Sequence, residues 1–189
     1  TTAESHHRIV VIEVMGRYTG WIALEAGIAG GADMILIPEY KVNIDEVCEA
    51  LKARHERGKT FSIIVISEGT QIKGYEEQLA TEQQSLRHPV SNVGEFISNL
   101  IEEKTGFETR VSVLGHIQRG GTPTAYDRIT GTRFGYKAVD LVIDKKFGYM
   151  VSLHNNKISS VKIEDAVKKI KQIDEDLYDV AKIFSASVE

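Results

Sequence analysis

The chain has a single cysteine, Cys48, within a segment of helical pattern. A disulfide framework and a cysteine-based zinc site within the chain are therefore excluded, and a reducing, cytoplasmic setting fits best. Long apolar runs are also missing. No stretch approaches the roughly 18 residues of a transmembrane helix, and the opening "TTAESHHR" has neither the charged nor the apolar region of a signal peptide. Excess positive charge is absent too: the net charge is −4, with a pI near 5.9, so no global basic footprint for nucleic acid exists. There is no GxxxxGK[ST] and no GxGxxG, no internal repeat and no low-complexity tract. What remains is a chain of 189 residues, long enough to bury a substantial core.

Short runs rich in Ile and Val supply that core: "IVVIEV" (9–14), "MILIP" (34–38), "FSIIVIS" (61–67) and "RVSVL" (110–114). Bounded by Gly or Pro, they read as strands buried on both faces of a parallel sheet. Helical patterns separate them. In "NIDEVCEALKARHERG" (43–58), Asn43 and Glu46 stand at capping-box spacing, Val47, Cys48 and Leu51 share a face, and Gly58 ends the pattern. In the segment 92–106, Val93, Phe96, Ile97, Leu100 and Ile101 form one stripe before Gly106. The alternation predicts an α/β fold, a three-layer, doubly wound, mostly parallel sheet, with ligands collecting where strands end and helices begin. Beyond it, the pattern predicts a helix over 124–144, a strand pair around "HNNK", and two amphipathic helices, "IEDAVKKIKQ" and "DEDLYDVAKIF". The polar stretch 69–91 reads as an insertion or mobile loop.

The chemistry sits at strand ends. Met15-Gly16-Arg17, Pro38-Glu39, Glu68-Gly69 and the run from Gly115 through His116, Ile117, Gln118 and Arg119 to Gly121 all follow predicted strands. His116 and Arg119 are donors to an anion, and the adjacent glycines let backbone N–H groups come close. Glu68 instead suits hydroxyl groups. A sugar phosphate meets both demands. His6 and His7 with Glu4 read as solvated terminal residues rather than as metal ligands, and the lysine-rich segment 162–171 as a solvated face. Arg8 and Arg110 fall roughly 20 Å along their strands from the site-forming end. On spacing alone they are either ordinary strand-start charges or donors to a site on a neighbouring subunit.

Together "VIEVMGRYTGWIALEAGIAGGADMILIPE", "SEG", "TGFETRVSVLGHIQRGGTPTAYDR" and "NNK" resemble the C-terminal half of 6-phosphofructokinases, which phosphorylate fructose 6-phosphate at O1. The resemblance implies the phosphofructokinase sugar-binding domain over 1–115, a crossover segment of the larger, nucleotide-binding domain over 116–170, and a returning helix over 171–189. It implies substrate contacts by Met15, Gly16, Arg17, Glu68, His116, Ile117, Gln118 and Arg119, and contacts by Arg8 and Arg110 in the neighbouring subunit of a homodimer or homotetramer. The effector position is reduced to Gly31, Asp33, Arg57 and Lys59, with Thr60 where a second lysine is usual. The resemblance also implies ATP or pyrophosphate as phosphoryl donor and Mg²⁺. The donor site, the catalytic aspartate and most of the metal's ligands are expected in an N-terminal half that this sequence does not match. A fragment carrying the sugar grip alone is expected to be inactive without its own N-terminal half. The competing expectation is a non-catalytic sugar-phosphate-binding or regulatory module.

Overall fold

The computed structural model describes residues 8–79 and 93–185. His6 and His7, and most of the stretch expected to be an insertion, lie outside them. The chain divides into two compact units, Thr1–Gln118 with Gln172–Glu189, and Arg119–Lys171.

In the first unit, the described residues form one four-stranded, wholly parallel sheet from β1 (Ile9–Val14), β2 (Met34–Leu36), β3 (Ser62–Ser67) and β4 (Thr109–Val113), in the order β2-β3-β1-β4. Side-chain alternation divides each strand between two layers. Ile9, Val11, Met34, Ile64 and Ile66 face helices α2 (Ile44–Glu56) and α3 (Val93–Thr105), whose Val47, Cys48, Leu51, Val93, Ile97 and Ile101 complete one core. On the opposite face Val14, Ile35, Ile37 and Val65 meet α1 (Trp21–Gly30) and the chain's last helix, through Ala23, Leu24, Ile173 and Ala181. The doubly wound α/β reading is therefore the observed one.

Three details of the first unit depart from expectation. β4 is an edge strand, with Val113 at 44% exposure, so it is not buried on both faces as its Val-rich composition suggested. The stretch after Glu68 begins as core: Ile72 forms a parallel bridge to Val42, and Ile72 and Leu79 are buried. The helix α2 start is also a variant of the expected box. Asn43 Oδ1 accepts from the Asp45 amide at 3.2 Å, while its Nδ2 donates to Glu46 at 2.9 Å.

Glu13 is the unit's conspicuous buried polar group, only 2% exposed on β1 at an inward-facing position. Its carboxylate accepts from the Gly94 amide at 2.7 Å. This partner is in the first turn of α3, where unpaired N–H groups and the helix dipole favour a negative charge. A side chain at position 94 would collide with that carboxylate, since a Cβ there falls 2.8 Å from it.

The second unit is a long helix α4 (Ala125–Ile143) followed by an antiparallel hairpin of β5 (Tyr149–His154) and β6 (Lys157–Lys162). Asn155 and Asn156 make the two-residue turn with φ of 46° and 61°, the left-handed geometry that hairpin turns need. Thr124 and Asp127 close a reciprocal capping box at the start of α4. Leu141 is buried, whereas Tyr136, Val139 and Val142 remain more than half exposed. The predicted helix over "IEDAVKKIKQ" is only α5 (Ile163–Ala166), because Val167 and Ile170 find no apolar surface to cover, and a short helix without a buried face is marginal. The last helix, α6 (Glu175–Ser185), belongs to the first unit and packs there through Ala181.

Two outcomes follow from these contacts. Glu13→Ala leaves the Gly94 N–H without its acceptor and is expected to cost about 1–3 kcal/mol, measured by urea unfolding, with Glu13→Gln costing less. Hydrogen bonds from the Thr124 hydroxyl and amide hold the Asp127 carboxyl below its usual pKa. The folded state thus favours the ionised form, so the cap's contribution is complete above the ordinary aspartate range and disappears as pH falls through it. Asp127→Asn should remove that part of the acid sensitivity in thermal melts across the carboxylate range.

Candidate functional site

Because the four strands are parallel, their C-terminal ends share one edge of the sheet, and the segments leaving β1, β3 and β4 are stitched together there. Beyond β1, the Met15 amide donates to Gln118 Oε1 at 2.8 Å, tying the Met15-Gly16-Arg17 turn to the 3₁₀ helix Gly115–Arg119. The Leu114 amide also donates to Glu13 O at 3.0 Å. Between β1 and β3, the Ser67 hydroxyl and the Gly69 amide both donate to Gly16 O, at 2.7 and 3.1 Å, and the Glu68 amide donates to Val14 O at 2.9 Å. Five long-range hydrogen bonds therefore fix the three segments relative to one another.

Glycine is required at two points of this stitching. Gly16 has φ 145°, and a Cβ there would fall 2.3 Å from Ser67 Oγ; at Gly69 a Cβ would fall 1.9 Å from Arg17 O. The β3 and β1 turns approach so closely only because neither residue carries a side chain. Further along, both oxygens of Glu39 accept from the Gly20 amide, at 3.1 and 3.0 Å, anchoring the start of α1 beside the same edge.

Met15, Gly16, Glu68, His116 and Gln118 are thus brought together at this edge by backbone geometry. Met15, Gly16 and Glu68 are half-buried, whereas Arg17 and His116 present their side chains to solvent. Arg17 lies 5.5 Å from the ring centre of Tyr18, itself 64% exposed. Ile117 is 77% exposed, and Arg119 closes the 3₁₀ helix as the first residue of the second unit. The half-buried Glu68 carboxylate and the solvent-facing Arg17 and His116 side chains at one edge suit a small polar anion with hydroxyl groups.

Arg8 and Arg110 are elsewhere, at the opposite, N-terminal edge of the sheet. The β1–β4 register sets Ile9 against Thr109 and Val10 against Arg110, so the two arginines are near neighbours. Glu108 lies between them.

The expected effector residues are separate again. Gly31 is the left-handed C-cap of α1 with φ 69°. Asp33 pairs with Arg54 through one carboxylate oxygen and accepts from the Ile63 amide at 2.8 Å through the other, which locks α2 to the sheet. Arg57 and Lys59 are exposed just beyond α2. Among the described residues, no group of three or more His, Cys, Asp or Glu side chains is arranged to hold a metal ion.

Sequence reasoning set Gly69 at this strand end and Ser67 in the motif "SEG", but it missed the structural roles of both, and that of Glu13. Gln118, expected as a substrate contact, spends its side-chain oxygen on Met15. Glu13 alone left a signal: a carboxylate at an inward position of an otherwise apolar alternation.

Comparison with known proteins identifies the family. A family model described as Phosphofructokinase matches residues 1–142. The pyrophosphate–fructose 6-phosphate 1-phosphotransferase of Amycolatopsis mediterranei is 48% identical over 97% of this chain and 54% of its own length. The ATP-dependent 6-phosphofructokinase 1 of Synechocystis is 45% identical over 91% of this chain and 47% of its own. Among solved structures, the phosphofructokinase from Saccharomyces cerevisiae superposes with a TM-score of 0.69 at 34% identity, covering 97% of this chain and 22% of that one. The chain spans about half the length of the curated relatives it matches. With the family model covering most of the sequence and the sheet edge built as described, the chain belongs to the phosphofructokinase family.

Proposed function

We propose that this chain is the substrate-gripping half of a phosphotransferase acting on fructose 6-phosphate. The observation that carries the reading is the stitched edge at the ends of β1, β3 and β4, where Arg17, Glu68 and His116 are delivered by segments that hydrogen bonds hold in register. In this reading the imidazole of His116 and the guanidinium of Arg119 hold the sugar's phosphate, and Glu68 accepts from sugar hydroxyls. Met15 and Gly16 line the sugar, and Gln118 keeps the two loops in register. Ile117 flanks the ligand. Arg8 and Arg110, at the far edge, serve a neighbouring subunit's phosphate in a homo-oligomer.

The phosphoryl donor is ATP or pyrophosphate, the two donors named among the relatives. Magnesium fits this reading as the ion that neutralises donor phosphates, and the reading assigns most of its ligands and the base for the sugar hydroxyl to the remaining half of the enzyme. The exposed face of α4, with Tyr136, Val139, Val142 and Ile143, is the surface that half would cover. Effector control at Asp33 would require displacing Arg54 from its carboxylate, which leaves Arg57 and Lys59 as the available cations there.

Calorimetric titration of the full-length enzyme with fructose 6-phosphate tests the grip. Arg119→Ala is expected to weaken binding by about 1.5–3 kcal/mol, the scale of a charged hydrogen bond, and an unchanged affinity would remove that residue from the site.

A further inference from the structure

We propose that Glu108 is a positioning residue which holds Arg8 and Arg110 side by side as one anion grip before the anion arrives. The inference rests on the proposed role of the two arginines toward a substrate phosphate.

Geometry makes the case. β1 and β4 run parallel with Ile9 against Thr109, which sets Arg8 beside Glu108 and puts Arg110 two residues further along the same strand as Glu108. The two oxygens of one carboxylate engage two guanidiniums: Oε2 lies 2.8 Å from Arg8 Nε, and Oε1 accepts from Arg110 Nη2. The main chain that carries this carboxylate is fixed, since Glu108 O accepts from the Ile9 amide at 3.0 Å. Arg110 is braced a second time, with Nη1 donating to Thr109 O at 3.0 Å. Arg8 Nε is buried from solvent, and its contact with Glu108 is an ion pair without hydrogen-bond geometry.

Charge arithmetic explains why a carboxylate belongs there. Two guanidiniums at adjacent strand starts repel each other, and without a counter-charge each long side chain would spread into solvent. Ordering two such side chains on binding a ligand would cost part of the roughly 2 kcal/mol of rotamer entropy each carries. A surface ion pair contributes little to folding stability, so the bridge is not explained as a staple for the fold. Its benefit is orientation: Glu108 grips the arginines while a guanidinium has five N–H donors in all, so one fork can serve the carboxylate and an incoming phosphate. The carboxylate also repels that phosphate, but Arg110 is more than half exposed and solvent screens the repulsion, so preorganisation dominates.

The test uses the full-length enzyme with Glu108→Gln, Arg110→Ala and the double variant, each assayed for fructose 6-phosphate dependence and thermal midpoint. Glu108→Gln keeps the shape and removes the charge. It is expected to raise KM about five- to tenfold with kcat within about twofold and the midpoint essentially unchanged. Arg110→Ala should raise KM further. The double variant should be much less impaired than the product of the two single effects, because Glu108 acts through the arginines. An unchanged or lower KM for Glu108→Gln, alongside a raised KM for Arg110→Ala, overturns the inference and leaves the arginine reading intact. A fall in kcat matching the rise in KM, or multiplicative single effects, also overturns it. If Arg110→Ala itself leaves KM unchanged, the arginine reading fails and takes the inference with it.

Discussion

The hydrogen bond from the Met15 amide to Gln118 Oε1 joins the ends of two parallel strands, and the proposed sugar-phosphate grip depends on it. β1 and β4 are neighbours in the sheet, and their backbone pairing reaches no further than the Leu114 amide on Glu13 O before each chain enters its own polar segment. One glutamine side chain spans the gap. On the other flank, Gly16 O collects the Ser67 hydroxyl and the Gly69 amide, so the β3 turn is held against the same loop. A rigid frame of this kind matters because a charged donor displaced by about 1 Å loses much of its value to a reaction it serves.

The sheet has two chemically different edges. Its C-terminal edge gathers Arg17, Glu68 and His116 on loops, while its N-terminal edge gathers Arg8, Glu108 and Arg110 on the strand starts. A parallel sheet forces this separation, since every strand carries its two ends to opposite sides. One strand, β4, therefore carries Arg110 near its start at one edge and leads into His116 at the other.

Much of this was legible in the sequence, because burial imposes periodicity. Val93, Ile97, Leu100 and Ile101 could be placed on one helix face, and the four strands located, from apolar spacing alone. Strand order is not periodic information, so β4 could not be recognised as an edge, nor could Arg8 and Arg110 be joined through Glu108. Short-range rules also overreached at "IEDAVKKIKQ", where an amphipathic pattern had no surface to bury and the helix stops at Ala166. Leu141 and Tyr136 lie on one helix, yet Leu141 is buried and Tyr136 is not, a difference that apolar character alone does not set. The strand-end polar residues were legible as candidates because they interrupt apolar runs. The structural roles of Ser67 and Gly69 were not legible, since they arise from close approach between turns distant in sequence.

Hydrogen–deuterium exchange on the full-length enzyme, with and without fructose 6-phosphate, tests the central claim most directly, because it reads the backbone of all three stitched segments at once. The account predicts slowed exchange on binding at residues 15–20, 67–70 and 114–119 together. Binding that protects other parts of the protein and leaves these three segments unchanged would contradict it.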